Sequence, residues 1–112
     1  MDRVEQGGSE GFSDEVRYQT GFALFQAQCG IRHRYAKPLK GFGSGILEIV
    51  SRHDRNTYRT VYAVRFQGAV YVLHAFQKKS TKGVATPRRE ISVVQVRLKS
   101  AEQHYRDKYG QE

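Results

Sequence analysis

Between residues 46 and 78 the chain carries three runs of β-branched and aromatic residues, joined by links too short for a helical crossover. The runs are 46–50, 58–66 and 69–78. Their links, His53-Asp54-Arg55-Asn56 and Gln67-Gly68, are polar and turn-forming. Parallel neighbours need a connection of about a dozen residues or more, so consecutive runs of this kind are confined to an antiparallel meander. A tight turn at Gln67-Gly68 pairs Phe66 with Ala69, Tyr62 with Leu73 and Arg59 with Phe76. Cross-strand partners share a face, so this register gathers Arg59, His74, Phe76 and Lys78 on one side of the sheet, and a slip of one residue scatters them.

The flanks read as helices. Ser13 offers an N-cap, Asp14 and Glu15 suit the first turn, and Val16, Thr20, Ala23, Leu24 and Ala27 recur at helical spacing until Gly30 stops the helix. Phe22 and Phe25 broaden that apolar stripe and are expected in the core, while Gly21 weakens the helix by roughly 1 kcal/mol relative to Ala. Cys29, at the helix end, is expected to be a small buried or half-buried residue. Residues 31–40 form a basic connector with a short helical turn before Pro38; its four bases and Tyr35 either grip phosphates or stand in a solvated loop. The glycine-rich 41–45 is a turn feeding the first strand. Further on, Thr86 reads as an N-cap and Pro87 as the first helical residue. Ile91, Val94, Leu98, Ala101 and Tyr105 then mark one buried stripe, closed by Gly110. Residues 1–12 are read as a flexible acidic lead-in to a single domain spanning 13–110. The fold class is therefore α+β, a small antiparallel sheet flanked by an N-terminal and a C-terminal helix.

Composition narrows the function. No apolar run approaches the roughly 18 residues of a membrane span and the N-terminus has no secretory pattern, which places the protein in the cytoplasm and away from membranes. A single cysteine excludes an internal disulfide, and His33, His53, His74 and His104 show no metal-ligand spacing, so neither metal nor cofactor is expected. The net charge of +8 is unevenly distributed, with −4 in residues 1–15 and +12 in the remainder. A body this basic suits a polyanionic partner. Within it, His74, Phe76 and Lys78 alternate along one strand face, an imidazole, an aromatic plane and an ammonium in one row. Lys82 lies in the basic loop 80–85. Arg88 and Arg89 stand in the first turn of the second helix, where cations oppose the helix dipole; they serve an anion or are neutralised by Glu90.

The ordered set Lys37-Pro38-Leu39-Lys40-Gly41-Phe42-Gly43, Leu47-Glu48-Ile49, Tyr58-Arg59-x-x-Tyr62, Leu73-His74-x-Phe76-x-Lys78-Lys79-Ser80 and Thr86-Pro87-Arg88-x-Glu90-Ile91 resembles the phage-derived HigB-like toxins of the RelE/ParE superfamily, over residues 13–105. The resemblance implies the toxin of a type II toxin–antitoxin pair, a metal-independent endoribonuclease that cuts mRNA on the ribosome and is blocked by a HigA-like helix-turn-helix antitoxin. RNA supplies its own 2′-OH nucleophile, so the protein need only move protons and stabilise charge on phosphorus. Arg59, Lys78 and Lys79 fit the phosphate role and His74 the proton-transfer role. Arg52, Arg65, Phe76, Lys82, Arg88 and Arg89 are the candidate RNA contacts. The family fold opens with an edge strand, and residues 1–12 offer no run of that kind, so this strand is expected to be missing. Val50 stands where family members often carry a base, and no tyrosine follows Lys79 before Tyr105. Two rival functions share the features: a non-catalytic basic binding module, and a ParE-like topoisomerase-binding toxin.

Overall fold

Strand alternation and helix periodicity sort the apolar residues onto the two faces of one sheet. The computed structural model describes residues 3–5, 14–53, 56–78 and 86–109, with the backbone alone for 3–5, 53, 56 and 78. The elements in chain order are β1 (Arg3–Glu5), α1 (Asp14–Gln28), β2 (Ala36–Pro38), β3 (Ile46–His53), β4 (Asn56–Ala63), β5 (Ala69–Lys78) and α2 (Arg88–Tyr109). The strands form one sheet in the order β1-β5-β4-β3-β2. β2 to β5 are antiparallel throughout, and β1 runs parallel to β5.

Each face of the sheet carries a helix. Ile46, Val61, Ala63, Tyr71 and Leu73 pack with Val94, Leu98 and Ala101 of α2. Leu47, Ile49, Tyr62 and Val70 pack with Ala23 and Leu24 of α1 on the other side. Ile46, Ile49, Leu73, Val61 and Val94 are fully buried, and each such side chain contributes roughly 1.5–3 kcal/mol of transfer free energy. The stripe expected on the second helix is the one it buries, with Ile91 and Tyr105 packed at its ends. α1 ends where expected. The Gly30 and Ile31 N–H groups bond to the carbonyls of Ala27 and Gln26, with Gly30 at φ 81°, so the last carbonyls are satisfied by a turn that favours glycine.

Several expectations are corrected. The edge strand is present: Arg3, Val4 and Glu5 pair with Ala69, Val70 and Tyr71. Three residues with one apolar side chain show no alternation, and the parallel pairing is long-range, so composition alone reads as a lead-in. A second short strand, β2, replaces the helical turn before Pro38 and pairs with Leu47, Glu48 and Ile49. β4 ends at Ala63 rather than Phe66; one more bond in the same register follows, from the Val64 N–H to the Gly45 carbonyl, before the chain turns toward β5. The register pairs Arg59 with Phe76 as expected, but a bulge between Val61 and Tyr62 sets Tyr62 opposite Val72, not Leu73. Phe22 and Phe25 are 47% and 59% exposed, and Cys29 is exposed as well. α1 lies flat on one sheet face, and its buried arc is filled by Val16, Thr20, Ala23 and Leu24, which leaves the broader aromatic arc outside. The Ser13 cap, loop 80–85 and Gly110 lie outside the described residues.

One buried group gives the fold a measurable pH response. Tyr62 is 0% exposed and its hydroxyl has no hydrogen-bond partner among the described residues. Burial pushes its phenol from 10.0 up to about 12, with Arg32 pulling slightly the other way. The unfolded phenol therefore loses its proton first, and stability falls as pH rises from 10 toward 12, by about 3 kcal/mol in all. Tyr62→Phe is expected to abolish that fall and, at pH 7, to be as stable as the parent or up to about 1 kcal/mol more stable. Denaturant titrations between pH 7 and 11.5 check this, and equal alkaline slopes for the two proteins would contradict it.

Candidate nucleic-acid interface

Arg59 projects from β4 on the face that α2 covers, two residues beyond Val61 at the end of the sheet where Thr86 and Glu90 enter α2. It is only 5% exposed. Its Nη1 donates to Glu48 Oε2 at 3.2 Å, and the Thr86 hydroxyl donates to the same oxygen at 2.8 Å. Glu48 is 2% exposed and comes from β3, where it pairs with Val61 while Val50 pairs with Arg59. The Nε of Arg59 is buried without a partner among the described residues. A buried ion pair is weak evidence for stability, because apolar residues of the same volume serve as well or better. An N–H left unmade in so enclosed a place calls for a small partner, a bound water or ion.

A cleft of about 480 Å³ opens beside Arg59, lined by Gln19, Tyr35, Lys37, Val50, Ser51, Arg52 and Arg59. Three of these are cations and none is a carboxylate. Lys37 reaches the cleft because β2 sets it opposite Glu48 at the sheet edge. Tyr35 is 60% exposed, and the Arg34 guanidinium lies 5.3 Å from its ring centroid. His33 supports this corner from below: it is 8% exposed and its Nδ1 accepts the Tyr35 N–H at 3.0 Å. Burial first, and Arg34 second, hold the His33 imidazole below its ordinary pKa, so the corner is assembled with that ring neutral. A cationic floor with an exposed aromatic at the rim matches the phosphate and base of single-stranded RNA.

Across from Arg59 lies Phe76, 8% exposed, and His74 stacks on it at 5.1 Å with a 27° interplanar angle. The His74 ring is held on both sides. Nε2 is 2.6 Å from Glu90 Oε1, and Nδ1 is 3.3 Å from Arg97 Nη1. A guanidinium only donates, so Nδ1 accepts and Nε2–H donates to Glu90. Glu90 comes from the first turn of α2, and Arg97 also donates to the Leu73 carbonyl at 3.2 Å. The histidine thus clamps the start of α2 to β5.

The remaining candidates divide by position. Arg52, exposed, pairs with Thr57, which also pairs with the backbone of Lys78, so the three stand in one row beside Val50, Arg59 and Phe76. The Lys78 side chain and residues 79 and 82 lie outside the described residues. Arg88 and Arg89 are exposed in the first turn of α2, with Arg89 Nε 3.6 Å from Glu90. Arg65 is not brought here. It follows the opposite end of β4, where it bonds the Phe42 and Ser44 carbonyls at 2.7 and 3.2 Å and Glu102 at 3.4 Å. Sequence reading missed Glu48, Thr86 and Arg97 as parts of the site, and took Lys37 and Tyr35 only as members of a basic connector that grips phosphates or is a solvated loop. The one local signal was Glu48, an acid on the same strand face as Ile46; the others are joined only by the tertiary fold.

Among the described residues no group of histidine, cysteine and carboxylate side chains forms a metal site, and no helix is long and apolar enough to cross a membrane. No curated protein matches the chain. The family model of the phage derived protein Gp49-like proteins does match it, across residues 10–106. That span takes in α1, the four antiparallel strands and nearly all of α2, including every described residue of the cleft, and the chain belongs to the Gp49-like family of phage-derived proteins.

Proposed function

We propose that the protein is a HigB-like toxin of the RelE/ParE superfamily, an endoribonuclease that cuts mRNA on the ribosome in the cytoplasm by 2′-OH transesterification. Membership of the Gp49-like family is consistent with a toxin of a toxin–antitoxin pair. The observation that carries the nuclease reading is the cleft: Arg59, Arg52 and Lys37 converge with Tyr35 at its rim and no carboxylate in its wall.

In the reaction the 2′ oxygen attacks phosphorus, the P–O5′ bond breaks, and the products are a 2′,3′-cyclic phosphate and a 5′-hydroxyl end. Arg59 and Arg52 stabilise the charge that builds on the equatorial oxygens, with Lys78 and Lys79 contributing from the end of β5. Tyr35 holds a neighbouring base, whereas Phe76, buried under the His74 ring, serves to position that ring. His74 carries the proton transfer through Nδ1, the nitrogen with the looser partner, while Glu90 fixes the ring and offsets the positive charge that it acquires. A HigA-like helix-turn-helix antitoxin encoded beside this chain covers the basic surface. The tight hold on both His74 nitrogens favours one rival, a module that grips RNA without cutting it.

The test is induction in growing cells with mapping of new mRNA 5′ ends. New ends bearing 5′-hydroxyls are expected for the parent, and they fall about 100-fold or more in Arg59→Lys and in Lys78→Ala/Lys79→Ala. Growth arrest with intact mRNA and broken DNA would instead identify a topoisomerase-binding toxin. RNA retained on the protein without new ends would identify the binding module.

A further inference from the structure

The outer side of α1 carries a feature that the cleft does not use. Tyr18, Phe22 and Phe25, at i, i+4 and i+7, are 76%, 47% and 59% exposed and form one aromatic stripe opposite the buried Val16, Thr20, Ala23 and Leu24. Ile31, 53% exposed, extends it past the helix end. Contiguous apolar surface of this kind marks an interaction site. Gly21 sits in the middle of the stripe, three residues from Tyr18 and four from Phe25. A Cβ built there meets nothing within 4 Å, so no contact inside the fold calls for glycine. A mid-helix glycine costs roughly 1 kcal/mol relative to alanine, and what it provides is a hollow into which another helix can settle closely.

We infer that this stripe is a self-complementary interface through which two copies of the chain pair, α1 against α1, antiparallel. The residues that identify the occupant are those at the two ends of the stripe. Asp14 and Glu15 stand at its start, while Arg32 and Arg34 stand just past its end, and all four are exposed. An antiparallel two-fold brings the acidic start of each helix over the basic end of the other, whereas a parallel pairing sets like charges together. The same two-fold places Tyr18 against the partner's Phe25 and Gly21 against the partner's Phe22, so each knob meets a ring or a hollow. The crossing point falls at Gly21 and Phe22. Phe22 is fixed for that role, because its ring packs edge-on against His33 at 5.9 Å and 85°. This dimer does not depend on the proposed nuclease activity.

Sedimentation velocity on the purified chain, at concentrations from about 1 to 200 μM, tests the inference. A concentration-dependent dimer is expected. Phe25→Glu and Tyr18→Glu each weaken it tenfold or more, with unfolding midpoints unchanged or raised because both side chains are exposed. Asp14→Arg weakens the dimer, and Asp14→Arg combined with Arg32→Glu/Arg34→Glu restores it, as only an antiparallel pairing allows. A chain that stays monomeric to 200 μM overturns the inference, as does a dimer that Phe25→Glu and Tyr18→Glu leave intact. Loss of binding to the neighbouring antitoxin in Phe25→Glu, with a monomeric parent, would overturn it too and assign the stripe to that partner.

Discussion

Arg59→Ala is expected to lower the free energy of unfolding by about 3–5 kcal/mol, the largest loss of any single side chain at the cleft. The cost arises from what remains. Glu48 is 2% exposed and, among the described residues, would keep the Thr86 hydroxyl alone as a partner, leaving a carboxylate in a site that water hardly reaches. Against a total stability of roughly 5–15 kcal/mol for a domain of this kind, the variant folds weakly or not at all. Removing the charge on both sides removes the problem: Glu48→Leu/Arg59→Met is expected to return to within about 1 kcal/mol of the parent. Urea titrations of the parent, both single variants and the double variant measure the coupling directly. A loss below about 1 kcal/mol for Arg59→Ala would mean that Glu48 finds solvent or a lysine at once, and that the pair is less enclosed than its geometry implies.

Gly45→Ala is expected to cost about 3 kcal/mol, while Gly43→Ala in the same turn costs only about 1. Both glycines hold positive φ, at 84° and 77°. They differ in what a side chain would strike. A Cβ at Gly45 would lie 2.7 Å from the Cβ of Arg65 and 3.2 and 3.3 Å from its Cα and N, whereas at Gly43 the nearest atom is the tip of the same arginine at 3.9 Å. Arg65 cannot retreat easily, because it is tied to the Phe42 and Ser44 carbonyls and to Glu102. The Gly45 carbonyl also accepts the Val64 N–H at 2.8 Å, so displacement there frays the end of β4. Thermal melts of the two variants side by side check the ordering, and equal losses would show that backbone conformation alone sets the cost.

Arg65 illustrates where sequence reading succeeds and where it stops. Sequence reading grouped it with Arg52 and Phe76 among the RNA contacts, but beyond the end of β4 Arg65 braces the glycine-rich turn through the Phe42 and Ser44 carbonyls. By contrast, the pairing of Arg59 with Phe76 was legible, because a short link between two long strands leaves few registers. The bulge displaced only the pairs on its far side, Tyr62 and Ala63. The helices were legible from periodicity, down to the residues that α2 buries. Phe22 and Phe25 were misplaced because periodicity records an apolar arc without saying how much of it the sheet can cover. β1 and β2, at three residues each, carry too little pattern to be seen. The cleft itself joins Tyr35, Lys37 and Arg52 through the pairing of β2 with β3, which no local signal announces.

The nuclease reading rests on Arg59 acting on an anion as well as on Glu48, and Arg59→Lys separates the two. It keeps a positive charge beside Glu48 and so spares most of the stability, but it lacks the planar guanidinium fork that matches a phosphate. The decisive measurement is the map of new mRNA 5′ ends after induction of this variant, taken with a urea titration of the same protein. The account predicts a folded protein whose new ends fall about 100-fold or more below the parent's. A folded Arg59→Lys that yields the parent's ends at the parent's level would contradict it.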